Sequence, residues 1–160
     1  MKRNIVRTIF FAMLLLSLAV VASAQIEKVC SNAMVAGTWG YTETGTLILP
    51  TGAVPYASVG SYTLDFYGNL SGARTASANG TILKATIKGT ATVNSDCTGT
   101  LTVSFYDESG KRQGTADTVK AIVYVDNGKE ARMIIISGNY PSVLTTEAKK
   151  LFPIEWPFFY

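Results

Sequence analysis

Leu101-Thr102-Val103-Ser104-Phe105-Tyr106 puts Leu101, Val103 and Phe105 on one side of an extended chain and Thr102 and Ser104 on the other. Successive strand side chains point to opposite faces, so this alternation predicts a strand with one apolar and one wet side. Such strands belong to antiparallel sheets that cover a core on one face. The pattern recurs on either side of it. Leu83, Ala85, Ile87, Ala91 and Val93 oppose Lys84, Thr86, Lys88, Thr90 and Thr92, and Val119, Ala121, Val123 and Val125 form a third apolar row.

Turn residues break the alternation at intervals of about eight to twelve positions, the rhythm of an all-β sandwich or barrel. Asn79-Gly80 and Asn127-Gly128 are type I′ hairpin signals, because both central residues of that turn need positive φ. Gly68-Asn69 and the polar stretch Asp107 to Gly114 supply two further connections. Eight strands are predicted, over 38–49, 57–67, 70–78, 80–93, 99–107, 114–125, 130–137 and 143–151. For the last of these, a short helix over Val143 to Phe152 is the alternative. Consecutive hairpins and an even strand number favour an eight-stranded antiparallel up-and-down barrel, whose closure removes exposed edges. A β-sandwich is the alternative.

The ends differ from this body. Residues 1–24 read as a signal peptide: basic Lys2, Arg3 and Arg7, an apolar run from Ile9 to Val21, and small Ala22-Ser23-Ala24 before a cut at Gln25. The run is shorter than the ~20 residues a membrane-spanning helix needs, and stable membrane insertion is not expected. Three of the chain's 14 basic residues leave with the leader, so 25–160 carries equal numbers of acidic and basic groups. That balance gives no reason to expect nucleic-acid binding. The expected location is secreted or periplasmic. Residues 25–36 form an N-terminal segment, 37–151 the barrel domain, and 152–160 an aromatic tail. Two prolines in the tail, Pro153 and Pro157, argue against a continuous strand or helix there. Its aromatics suit a packed strap or a self-association patch.

The pair Cys30 and Cys97 in an exported chain reads as one disulfide, worth about 4 kcal/mol on the chain-entropy argument. Two cysteines without histidine cannot fill a tetrahedral metal shell, and no metal or cofactor is expected.

Several segments together resemble a group of small exported bacterial proteins with calycin/lipocalin-like or allene-oxide-cyclase-like barrels. They are Cys30-Ser31-Asn32-Ala33 followed by Gly37-Thr38-Trp39-Gly40-Tyr41, Gly68-Asn69-Leu70-Ser71-Gly72, Gly89 through Thr100 around Cys97, and Val125-Asp126-Asn127-Gly128-Lys129-Glu130 with Arg132. The resemblance covers residues 30–137 and implies fold and export, with no activity attached. Gly37-x-Trp39 fits the short lipocalin entry motif, and that likeness implies Arg132 stacking on Trp39. The lipocalin Thr-Asp-Tyr motif is absent.

The chain has no histidine, which removes the commonest general base and every Ser-His or Cys-His device. No catalytic residue is assigned, and a non-enzymatic role is favoured. Glu43 is the carboxylate to watch. It shares strand parity with Trp39 and Tyr41, so it points inward, where desolvation disfavours its charged form. The functional expectation is a small apolar ligand inside the barrel, lined by Tyr62, Leu64, Phe66, Leu83, Ile87, Leu101, Val103, Phe105, Val119 and Val123. The same residues also describe an ordinary closed core. The alternatives are a cell-envelope or surface interaction module, an allene-oxide-cyclase-like isomerase, and an outer-membrane barrel with Lys84 and Lys88 turned to its lumen.

Overall fold

A computed structural model describes residues 29–153. The segment expected to be a signal peptide and most of the aromatic tail lie outside the described residues. A short helical turn, α1 (Asn32–Val35), leads into eight strands: β1 (Gly37–Leu49), β2 (Gly52–Leu64), β3 (Asn69–Ala78), β4 (Thr81–Val93), β5 (Thr98–Tyr106), β6 (Arg112–Val125), β7 (Glu130–Ser137) and β8 (Ser142–Pro153). Each strand pairs antiparallel with the next, and β8 returns to β1, closing an up-and-down barrel. The sandwich alternative is thereby excluded. The segment after Ser142 is a strand because it must close this ladder, pairing from Leu47–Ser142 to Gly37–Pro153. Leu151 is the extra residue of a bulge opposite Thr38 and Trp39, and the strand runs on to Pro153.

The turns follow the backbone needs of their residues. Asn79 and Gly80 have φ of 49° and 85° and form the expected two-residue hairpin between Ala78 and Thr81. The Asn127-Gly128 turn is longer than expected. Asp126, Asn127 and Gly128 all have positive φ, and four residues separate the paired Val125 and Glu130. β2 starts five residues before its expected position. Its first residues pair only with β1; Pro55 lies before the start of the β2–β3 ladder, where its carbonyl accepts from Asn79 N at 3.0 Å and its missing N–H costs no ladder bond.

The inner faces make the core. Trp39 is fully buried at the end closed by α1, stacked with Tyr62 and edge-on to Tyr124. Its indole Nε1 donates to the Val35 carbonyl at 2.9 Å, tying the barrel floor to the helical turn beneath it. Cys30 and Cys97 form a disulfide, and Cys30 N also donates to the Ser95 carbonyl. A structural disulfide points to an oxidising location. No helix among the described residues is long and apolar enough to cross a membrane.

Three sequence expectations change. Val119 and Val123 lie on the outer face, with Val123 40% exposed, while Thr118, Lys120, Ile122 and Tyr124 point inward. The larger Ile122 and Tyr124 fill the core, and Lys120 is drawn in by Glu43; valines suit an exposed strand face through β-propensity alone. Phe66 follows the end of β2, in the turn at the closed end, and does not sit on an inner strand face. Arg132 points outward to Glu130 and Glu147, and Lys150 takes the place over Trp39, with Nζ 5.4 Å from the ring centroid. Lys84 and Lys88, which an outer-membrane barrel would turn to its lumen, are exposed on the outside.

The turn carboxylates predict an acid limit. Hydrogen bonds from Asn69 hold Asp65 below the ordinary carboxyl range, those from Thr98 do so for Asp96, and those from Ser109 and the Lys111 backbone for Asp107. Their folded-state pKa values lie below the unfolded ones. This contribution is therefore complete above about pH 4 and is lost as the pH falls through the folded values. Melting temperature measured from pH 7 to pH 2 is expected to hold and then drop below about pH 4. The triple variant Asp65→Asn/Asp96→Asn/Asp107→Asn should show a shallower drop.

Candidate functional site

The barrel interior is divided along its axis. From α1 upward, Val35, Trp39, Leu64, Leu70, Leu101 and Ile122 belong to one packed cluster, which also holds Tyr62, Ile87 and Val103. Above it a gap of about 20 Å³ remains, room for about one water. Beyond that gap the other end opens into a cup of about 460 Å³, within the range of small-molecule sites. A second, smaller apolar cluster of Tyr56, Ala76 and Leu144, backed by Leu47 and Ile135, forms part of the cup wall.

The floor between packed core and cup is charged. Glu43 and Lys120, 3% and 8% exposed at their side chains, form an ion pair. Thr146 completes it, donating to Glu43 Oε2 at 2.6 Å and accepting from Lys120 Nζ at 2.9 Å. Three strands supply this trio, β1, β6 and β8, and all three residues face inward by the two-residue period. Lys120 Nζ also lies 5.7 Å from the Tyr41 ring centroid. Burial lowers the Lys120 pKa, and the Glu43 charge opposes that effect. Burial, and next the negative charge of Glu43, push the Tyr41 phenol up to about 12. Tyr41 has space to lie there because its cross-strand partner is Gly60, where a Cβ would come within 2.9 Å of the Tyr41 ring.

Arg74, on the inner face of β3, is the second cation of the floor. Its guanidinium carbon sits 3.6 Å from the Phe105 ring centroid, and Nη1 donates to the Tyr56 hydroxyl at 2.8 Å. Burial raises the Tyr56 pKa while the Arg74 charge opposes the rise. Arg74 borders both the inner gap and the cup.

Of the ten residues expected to line a ligand space, Phe105 and Leu83 reach the cup. Tyr62, Leu64, Ile87, Leu101 and Val103 are buried in the packed cluster beneath it. Val119 and Val123 are on the outer face of β6, and Phe66 is in the turn after β2. Glu43 occupies the inward position expected of it. Lys120, Thr146, Arg74 and Tyr56 were missed, although Arg74 shares parity with Leu70 and Ala76. An inward carboxylate that keeps its charge needs a cation near it, which directs attention to the inward lysines and arginines of the other strands.

A larger depression of about 640 Å³ lies outside the barrel across β4 to β7, where Thr92, Thr100, Ala121, Val123 and Ile134 line it. It is a shallow feature of the outer sheet face and holds none of the buried charges. Among the described residues, no group of three or more His, Cys, Asp or Glu side chains is placed to hold a metal ion.

Fold and site together define a closed eight-stranded barrel, packed solid at one end and opening into a cup with a charged floor at the other. Comparison with protein-family models and with curated proteins gives no match. The functional reading of the cup therefore rests on its geometry and chemistry.

Proposed function

We propose that this chain is an exported, non-enzymatic binding protein that seats a small, largely apolar molecule in the cup. The observation that carries the reading is the division of the interior. The lower barrel is filled by its own side chains, whereas the upper end keeps a ligand-sized space walled by Leu47, Leu83, Phe105, Ile135 and Leu144. Export is supported by the disulfide and by the leader-like first residues. Glu43 is already engaged by two donors and serves here as the anchor of the floor.

A neutral fluorescent probe, N-phenyl-1-naphthylamine, tests the reading. The expected result is saturable binding to the wild type, loss of binding in the cup-filling variant Leu83→Trp, and retention in the outer-face variant Val123→Ser. Absence of probe binding to the wild type overturns the proposal. Loss in Val123→Ser with retention in Leu83→Trp also overturns it, and moves the binding to the outer face. That face is where an interaction module would act, through exposed Val123, Val125, Ile134 and Ile136.

A further inference from the structure

We infer that the molecule taken by the cup carries a carboxylate on its apolar body, and that Arg74 is the group that receives this carboxylate. The inference rests on the reading of the cup as a ligand site and adds the chemical class of the ligand.

Its basis is the unequal treatment of the floor's two cations. Lys120 is neutralised by Glu43 and bonded to Thr146. Arg74 has no ion pair with any carboxylate among the described residues. Glu43, Lys120 and Arg74 therefore leave one net positive charge at the base of an apolar cup. A structural arginine in such a place ordinarily spends its donors on carbonyls or carboxylates, because a buried donor left unpaired carries a desolvation cost. Arg74 departs from that pattern, since its Nε is buried and has no hydrogen-bond partner among the described residues.

The guanidinium is held ready for a partner. Phe105 supports its plane, and the Tyr56 hydroxyl engages Nη1. Tyr56 takes one Nη1 hydrogen and Nε is buried, so the second Nη1 hydrogen and the Nη2 group, at the end of the guanidinium, are the paired donors that match the two oxygens of a carboxylate. A phosphate dianion fits less well. It asks for more donors than one fork supplies, the Lys120 ammonium is already committed, and the Glu43 carboxylate also borders the cup. The apolar walls call for an equally apolar body on the ligand.

Isothermal titration at pH 7 with three ligands of one shape tests this: 1-naphthoate, neutral 1-naphthylmethanol and 1-naphthyl phosphate. The wild type is expected to bind naphthoate at least tenfold more tightly than the alcohol. Arg74→Met should erase that preference while leaving alcohol affinity within about twofold, and Arg74→Lys should restore part of it. Circular dichroism and melting temperature establish that both variants are folded. Equal wild-type affinity for acid and alcohol overturns the carboxylate inference and leaves the cup reading standing. A preference that survives Arg74→Met overturns the assignment of Arg74 as the receiving group. Tighter binding of the phosphate than of the naphthoate overturns the carboxylate assignment. Failure of all three ligands to bind overturns the cup reading itself, and the inference with it.

Discussion

Glu43→Gln is expected to lower the melting temperature by about 10–15 °C. Glu43 and Lys120 are both nearly inaccessible, so replacing the carboxylate by an amide leaves a buried ammonium with only neutral partners, among them the Thr146 hydroxyl and the Tyr41 ring. Breaking one side of a buried pair costs about 3–5 kcal/mol. For a domain of this size each kcal/mol moves the midpoint by about 3 °C. Lys120→Met should cost a similar amount, because it strands the carboxylate. The double variant Glu43→Gln/Lys120→Met removes both charges and should recover most of the loss, since an apolar replacement of a buried pair is often neutral or better. Thermal unfolding of the four proteins at pH 7 makes the comparison. A double variant less stable than either single one would mean that the two side chains act independently.

The same pair gives a pH signature. Burial lowers the folded-state Lys120 pKa below its ordinary 10.5, and Glu43 opposes that shift. With Glu43 neutralised, the opposition is gone. The folded variant then holds fewer protons than its unfolded chain over a wider range below pH 10.5. Stability rises with pH wherever the unfolded state binds more protons. The deficit of Glu43→Gln relative to wild type should therefore narrow as the pH is raised from 7 toward about 10. A deficit that stays constant over that range would show that the lost stability comes from packing and not from an uncompensated charge.

The barrel was legible in the sequence because period-two alternation and turn chemistry act locally. LTVSFY, the Lys84–Val93 stretch and Asn79-Gly80 each carry their own answer. The interior face of β6 was not legible, because both of its rows are plausible. Val119, Ala121, Val123 and Val125 read as a core face, yet Ile122 and Tyr124 supply the larger inward volume. Only a contact between β1 and β6, 77 residues apart in the chain, decides between them. The bulge at Val119/Lys120 in the β6–β7 ladder is likewise a tertiary feature. The site was missed for a related reason. A search for apolar lining finds the packed core, whereas the cup end is marked by polar residues at inward positions. Glu43 was recognisable by strand parity, and Arg74 was equally available by the same rule. Its significance comes from what it does not touch, and that is visible only in three dimensions.

Replacing Cys30 and Cys97 by serine is expected to cost about 4 kcal/mol, or again about 10–15 °C in melting temperature. The bond closes a loop of 67 residues in sequence separation, which spans β1 to β4, half of the barrel. Much of the stabilisation is assigned to the unfolded chain, whose freedom the cross-link removes. A local effect should accompany the global one. The disulfide fixes the segment that carries α1, and α1 holds Val35 beneath Trp39 through the indole hydrogen bond. Lys150 supports the same turn from β8, donating to the Met34 carbonyl at 2.8 Å. In a Trp156→Phe background Trp39 is the remaining tryptophan, so its fluorescence reports on the closed end above α1. If the disulfide holds the plug, the serine variant should show red-shifted Trp39 emission and faster amide exchange over residues 30–36 well below its melting temperature. Unchanged emission and exchange, together with the lower midpoint, would place the whole effect in the unfolded state. In that case Trp39, Val35 and Lys150 keep the α1 end shut without the covalent bond, and the cysteines serve the chain before it folds more than the barrel afterwards.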